Sequence, residues 1–217
     1  MGRRLYTKDL AIGQVSLTFA LYIHERTKFV TMVSLLIMTA KDGLNMDQSQ
    51  VILRAFENED IRELHRWLND PVSIAMVGRA PMTYEQTVKH VEKKRNNGDL
   101  VLAIENEEQK LIGWIFLQNI EYEHGRASIG ILLSPEGRGQ GYGLPAMQQM
   151  VEIGFNQLRL NKIYLTTRAI NEQAVGLYKK IGFIIEGQLR KHAFSDGQYY
   201  DTYFMGLLAS EWNVKCL

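Results

Sequence analysis

The 217-residue chain predicts a mixed α/β fold, a sheet with helices on its faces. Two observations carry that prediction. The chain reads, in order, as strand, two helices, three strands, helix, strand, helix and two strands, with turn signals between them. Its composition, 46% hydrophobic and 23% charged, is that of a chain with apolar mass enough for a core.

The elements follow from local pattern. VILRAF (51–56) alternates as a strand does, and ENEDIRELHRWLND carries Ile61, Leu64, Trp67 and Leu68 at helical spacing. Asn58 or Glu59 marks its start and Pro71 its end. TYEQTVKHVEKKRNNG is a second helix, with Thr83 and Gln86 set as a capping box and Asn97-Gly98 as its stop. Its basic stretch HVEKKRNNGD reads as a solvated face. Strands follow at 100–106, 110–120 and 126–134. LPAMQQMVEIGFNQL (144–158) is a helix with Pro145 in its first turn, where a missing N–H does no harm. KIYLTTRAI (162–170) is a strand, and NEQAVGLYKKI (171–181) a helix between Asn171 as N-cap and Gly182. FIIEGQLRKHAF and QYYDTYFMGLL close the sheet around the turn SDG.

Composition removes several functions. Lys and Arg number 25 against 24 Asp and Glu, so no global field favours nucleic acid or an anionic membrane. The one cysteine, Cys216, supports neither a disulfide framework nor a thiolate cluster, and a reducing cytoplasm fits it. The histidines, at 24, 65, 90, 124 and 192, include no HExxH pair. The longest apolar run, Phe29 to Ala40, is short of the ~20 residues a membrane span needs, and reads as a buried strand or helix. Residues 1–46 show no pattern continuous with the rest. They read as an N-terminal extension, or as sequence upstream of a start at Met46, before a domain over 47–217.

The most informative stretch is SPEGRGQGYGLPAM, 134–147, between a strand and a helix. Gly139, Gly141 and Gly143 let a ligand approach main-chain amides, and a helix N-terminus offers free N–H groups to an anion. Arg138 adds a positive charge. No GK[ST] is present, so a nucleoside triphosphate P-loop is disfavoured, and G-x-G-x-G is not the dinucleotide fingerprint.

Arg138-Gly139-Gln140-Gly141-Tyr142-Gly143 resembles the R/Q-x-x-G-x-G acyl-CoA pyrophosphate loop of the GNAT N-acetyltransferase superfamily. NEQAVGLYKKIGF (171–183) resembles the family's N-x-x-A-x-x-x-Y-x-K-x-G-F segment, and VILRAFENEDI its opening strand and helix. GQYYDTYFMGLLASEW resembles the end of the branch that holds ribosomal-protein N-terminal acetyltransferases and spermidine acetyltransferases. The likeness spans about residues 50–212.

That resemblance implies a mostly antiparallel central sheet with helices on both faces. It implies acetyl-CoA as co-substrate and direct attack of a primary amine, on a small molecule or peptide, in a ternary complex. Main-chain groups of Ile131, Leu132 and Leu133 are then expected to pair with the pantetheine arm, and residues 138 to 143 to take the pyrophosphate. Asn171 and Ala174 match cofactor contacts, and Tyr178 matches the tyrosine that protonates the departing thiolate. Many relatives carry a glutamate where this chain has Ser128. Glu121, Glu123 and His124, on the segment just before the strand that holds Ser128, are the candidate bases in its place, acting directly or through water. Trp67, Asn69 and Pro71 match a helix and loop on the acceptor side, with Trp67 equally suited to the core. A homodimer is compatible with the family, and no nucleic acid or membrane partner is expected. The alternative function is a CoA-binding sensor without turnover.

Overall fold

The computed structural model describes residues 51–195 and 197–212. The expectations for residues 1–46, for the run 29–40 and for Cys216 lie outside the described residues. Among the described residues, seven strands form one sheet in the order β1-β2-β3-β4-β5-β7-β6. They are β1 (Ile52–Ala55), β2 (Leu100–Glu105), β3 (Leu111–Glu121), β4 (Arg126–Leu133), β5 (Lys162–Arg168), β6 (Ile184–Ser195) and β7 (Gln198–Leu208). All neighbours are antiparallel except β4 and β5, which run parallel. The mixed, mostly antiparallel sheet is therefore present.

The helices are α1 (Ile61–Leu68), α2 (Pro71–Val77), α3 (Tyr84–Asn96), α4 (Gly143–Glu152) and α5 (Glu172–Ile181). Side chains alternate across a strand, which fixes the two faces. Leu132 packs with Trp114 against Ile61, Leu64, Trp67 and Val91, so α1 and α3 cover one face. Leu133 points the other way, within reach of Gly143 at the head of α4, and α5 packs against α4. The strand β3 lies between these layers and buries both sides, from Ile112 to Ile115.

Three local outcomes differ from the sequence reading. Pro71 does end α1, but it also opens α2. Asp70 caps that helix by accepting from Ser73 N at 3.0 Å, and Gly78 closes it in the left-handed conformation at φ 69°. The helix after the glycine loop loosens into a π-helical turn over Ile153–Gln157. There Gly154 lets Ile163 approach so closely that a Cβ would sit 2.6 Å from its Cδ1. Finally, the basic stretch of α3 is not wholly solvated. Lys94 is buried, its Nζ donating to Gln118 Oε1 at 2.5 Å and lying 3.6 Å above the Phe116 ring. Burial pushes its pKa down to about 8, opposed by Asp99 at 3.7 Å. Among the described residues, no helix is long and apolar enough to cross a membrane.

Candidate functional site

The parallel pair β4–β5 is joined over only three positions, Arg126↔Lys162, Ala127↔Ile163 and Ser128↔Tyr164. Beyond them the strands diverge. Ile129 to Leu133 keep β3 on one side and have no strand partner on the other. An unpartnered strand edge is a row of donors and acceptors that must be met by something else. Ile131, Leu132 and Leu133 lie on this edge, and all three are partly exposed. Of their carbonyls, Leu133 O already accepts from Arg138 Nε at 3.3 Å.

The glycine loop sits at the open end of the gap. Ser134 is buried, and its carbonyl accepts from Gly137 N and Arg138 N at 3.0 and 3.2 Å. Its Oγ also accepts from Gly137 N, at 3.0 Å, which anchors the loop's start. Gly139 and Gly141 then take φ of 74° and 87°, the left-handed region that L side chains avoid. Ala146 is the first amide to close α4, onto Tyr142 O at 3.2 Å. Gly143 and Leu144 precede it as orphan helix donors, and Pro145 has no N–H. The exposed loop thus presents main-chain donors at the positive end of a helix, with open space within 4 Å of the Cβ site of Gly139. The open edge and the helix head together suit an extended ligand with an anionic end.

Arg138 does something the motif alone does not disclose. Its guanidinium turns from the loop toward α2, with Nη1 2.9 Å from Asp70 Oδ2 and Nη2 donating to Ser73 Oγ. The Arg138 hydrogen bond holds the Asp70 carboxyl below the usual carboxylate range. At the other end of α2, Arg168, the last residue of β5, donates to Ala75 O and lies against Gly78. A Cβ on Gly78 would fall 2.1 Å from Arg168 Nη2. So α2 bridges the mouth of the gap, tied to the loop after β4 at one end and to β5 at the other.

On α5, Asn171 Oδ1 accepts from Ala174 N at 3.2 Å, so the asparagine is the helix cap the sequence offers as its plain role. Leu177 reaches Gly143, 3.2 Å from where a Cβ would be, which sets α5 beside the loop. Tyr178 follows on that helix, its ring 6.1 Å from that of Phe183. Burial alone pushes its phenol up to about 12.

The candidate bases lie toward the closed end of the gap. Glu121 and Arg126 flank the hairpin turn at the closed end, seven residue steps or roughly 23 Å along β4 from Leu133. The Arg126 guanidinium, 2.8 Å away, holds the Glu121 carboxyl low, and His124 is 4.0 Å from it. Glu123 and His124 are exposed on the same turn. Ser128 pairs with Gln118 and Tyr164 at the last joined position. Trp67 is core, 1% exposed. Asn69 instead clamps the 78–83 loop: Met82 N donates to its Oδ1 at 2.8 Å, and its Nδ2 donates to Met82 O at 3.0 Å. Asp70, Ser73 and Arg168 escaped the sequence reading. The pair Asp70-Pro71 with Gly78 was a visible signal for α2, but nothing local announced its two arginine partners.

This geometry can be set beside known proteins. The family model described as an acetyltransferase (GNAT) domain matches residues 50–184, well over half of the chain. A spermidine N(1)-acetyltransferase of Vibrio cholerae is 31% identical over 166 residues, covering 76% of this chain and 96% of that protein. Its counterpart from Escherichia coli K12 is 30% identical over 172 residues, covering 75% and 88%. The crystal structure of the Vibrio cholerae spermidine N-acetyltransferase in complex with CoA and spermine is similar at TM-score 0.71, covering 75% of this chain and 98% of that one. The splayed strands and the glycine loop at a helix head are thus set in a recognised frame, and the chain belongs to the GNAT acetyltransferase family as an acetyl-CoA-dependent N-acetyltransferase.

Proposed function

We propose that the domain over residues 47–217 acetylates a primary amine of a small molecule or peptide by direct attack within a ternary complex. The observation that carries this reading is the parting of β4 from β5 beyond Ser128 and Tyr164, with the glycine loop at the far end. Acetyl-CoA, when bound, supplies the thioester carbon that the amine attacks and the thiolate that leaves. The chain supplies position. Main-chain groups of Ile131, Leu132 and Leu133 pair along the open edge. The amides from Arg138 through Gly143, Gln140 and Tyr142 included, take the pyrophosphate, with Asn171 and Ala174 beside the arm. Holding thioester and amine together is the larger part of the catalysis.

Tyr178 is the proton donor to the leaving sulfur. With its pKa near 12 it stays protonated throughout the working range. Donation to a thiolate of ordinary pKa ~8.5 would run uphill by about 5 kcal/mol. The burial that raises the phenol also disfavours a bare thiolate, which narrows that gap.

The attacking nitrogen must arrive neutral. Ser128 has no basic group, and Glu121, the candidate carboxylate at the closed end, is held low by Arg126. The amine's own ionisation then sets the ascending limb of the pH profile. Glu121→Gln is expected to change kcat/KM by less than about threefold, with the profile unshifted. Loss of the ascending limb in that variant would make Glu121 the base.

The deciding experiment is thiol release from acetyl-CoA across a panel of amines, spermidine included because it names the relatives. CoA binding without release of thiol from any amine would defeat the reading. A cytoplasmic location and a homodimer complete the proposal; cell fractionation and sedimentation test them.

A further inference from the structure

The rim of the gap carries an unbalanced charge. Arg79 follows Gly78, whose left-handed φ of 69° turns the chain out of α2. Its Nη1 lies 3.4 Å from His90 Nε2 on α3. The His90 ring is 5.8 Å from Trp114, and Trp114 pairs with Leu132 on the open edge of β4. On the other side Gly78 rests on the Arg168 guanidinium, at the end of β5. Arg79 therefore follows directly on the residue that rests against the end of β5 and reaches α3, in a loop held at one end by the α2 cap and at the other by Asn69 on Met82.

The charges that act on His90, the contact of Arg79, are all of one sign. His90 is shifted by its burial, then by Arg79, Lys94 and Lys93, and no carboxylate acts on it. Its pKa falls to about 4, so it is neutral at pH 7 and accepts from Arg79. Lys94 has Asp99 as its partner, and Arg138 has Asp70. Arg168 donates to a neutral carbonyl, Ala75 O. Among the described residues, no ion pair involves Arg79, Arg168 or Lys93. The closed end of the same pair of strands is different, since Arg126 pairs with Glu121 and Lys162 with Glu186. Cations left without counter-ions at the mouth of a site raise the local concentration of anions and lower that of polycations.

We infer that Arg79, with Arg168 behind it, binds a carboxylate of the acceptor, which is a primary amine bearing an acid group rather than a polyamine. This rests on the acetyltransferase reading above and narrows its substrate class. An Arg guanidinium meets a carboxylate through two parallel N–H donors, a geometry an ammonium acceptor cannot use. The carboxylate can belong to a free amino acid or to the N-terminal end of an acidic peptide.

The test compares kcat/KM for matched amines: L-phenylalanine against phenethylamine, L-lysine against cadaverine, and an Asp-initiated peptide against the same peptide begun with Ala. Spermidine is run beside them. The wild-type protein is expected to favour the acid-bearing member of at least one pair by about tenfold or more, as a charged hydrogen bond provides. The amino-acid and peptide arms tell the two sources apart. Arg79→Glu should reverse the preference, and Arg79→Gln should abolish it, with circular dichroism unchanged because the side chain is exposed. A wild-type preference for spermidine or the decarboxylated amines, or an Arg79→Glu variant with the same ratio, would overturn the inference while leaving acetyl transfer intact. Thiol release from no amine at all would overturn both.

Discussion

Replacing Tyr178 with Phe is expected to lower kcat by about 10²–10⁴-fold, the range a positioned proton donor contributes. The dissociation constant for CoA should stay within about twofold. The substitution removes one oxygen and keeps the ring, so the packing on Phe183 and the place of α5 beside Gly143 persist. Burial is the only influence on the phenol, which means no charged neighbour is left stranded when the oxygen goes. Single-turnover thiol release, with CoA affinity by calorimetry, separates the two quantities. A second signature lies in the leaving group. A thioester of a more acidic thiol needs less protonation, so the defect should shrink with it. Equal turnover in the variant would remove the acid role from Tyr178.

Gly141→Val is expected to raise the dissociation constant for CoA by at least about tenfold and to leave thermal stability nearly unchanged. The residue holds φ 87°, and a β-branched side chain there costs about 1–3 kcal/mol. The loop is exposed on the surface, so it relieves that strain by changing shape rather than by unfolding the domain. The changed shape no longer aims its amides at one point. Gly139→Ala should be milder: its φ of 74° is also left-handed, but a Cβ meets nothing within 4 Å. Calorimetry with CoA, and melting without it, checks both. Unaltered affinity in Gly141→Val would mean that the loop conformation is not what binds.

Much of this architecture is written locally in the chain. Caps at Thr83 and Asn171, the stop at Gly182 and the apolar spacing of α1 each depend on residues within one or two turns, and each was legible. The glycine loop was legible for the same reason. The helix α2 was missed although Asp70, Pro71 and Gly78 announce it, because seven residues are too few for a period to show. Lys94 looked like one more solvated cation in a basic run; only the fold sets it on Phe116 and Gln118. The ion pair of Arg138 with Asp70 spans 68 positions, and the divergence of β4 from β5 is a relation between strands 36 residues apart in register. Neither has a local sign.

That ion pair also bears on how the loop should respond to ionic strength. A cradle whose arginine was free would draw phosphate by net charge, and its grip would weaken steeply as salt screened that charge. Here Asp70 already occupies the Arg138 guanidinium, so within the loop the attraction comes from peptide dipoles acting at contact distance. In the Arg79→Gln protein, whose rim has lost a free cation, binding of dephospho-CoA should therefore change less than about threefold between 50 and 500 mM salt. The Asp70→Asn protein, with its arginine unneutralised, should bind more tightly in dilute buffer and lose that advantage as salt is added.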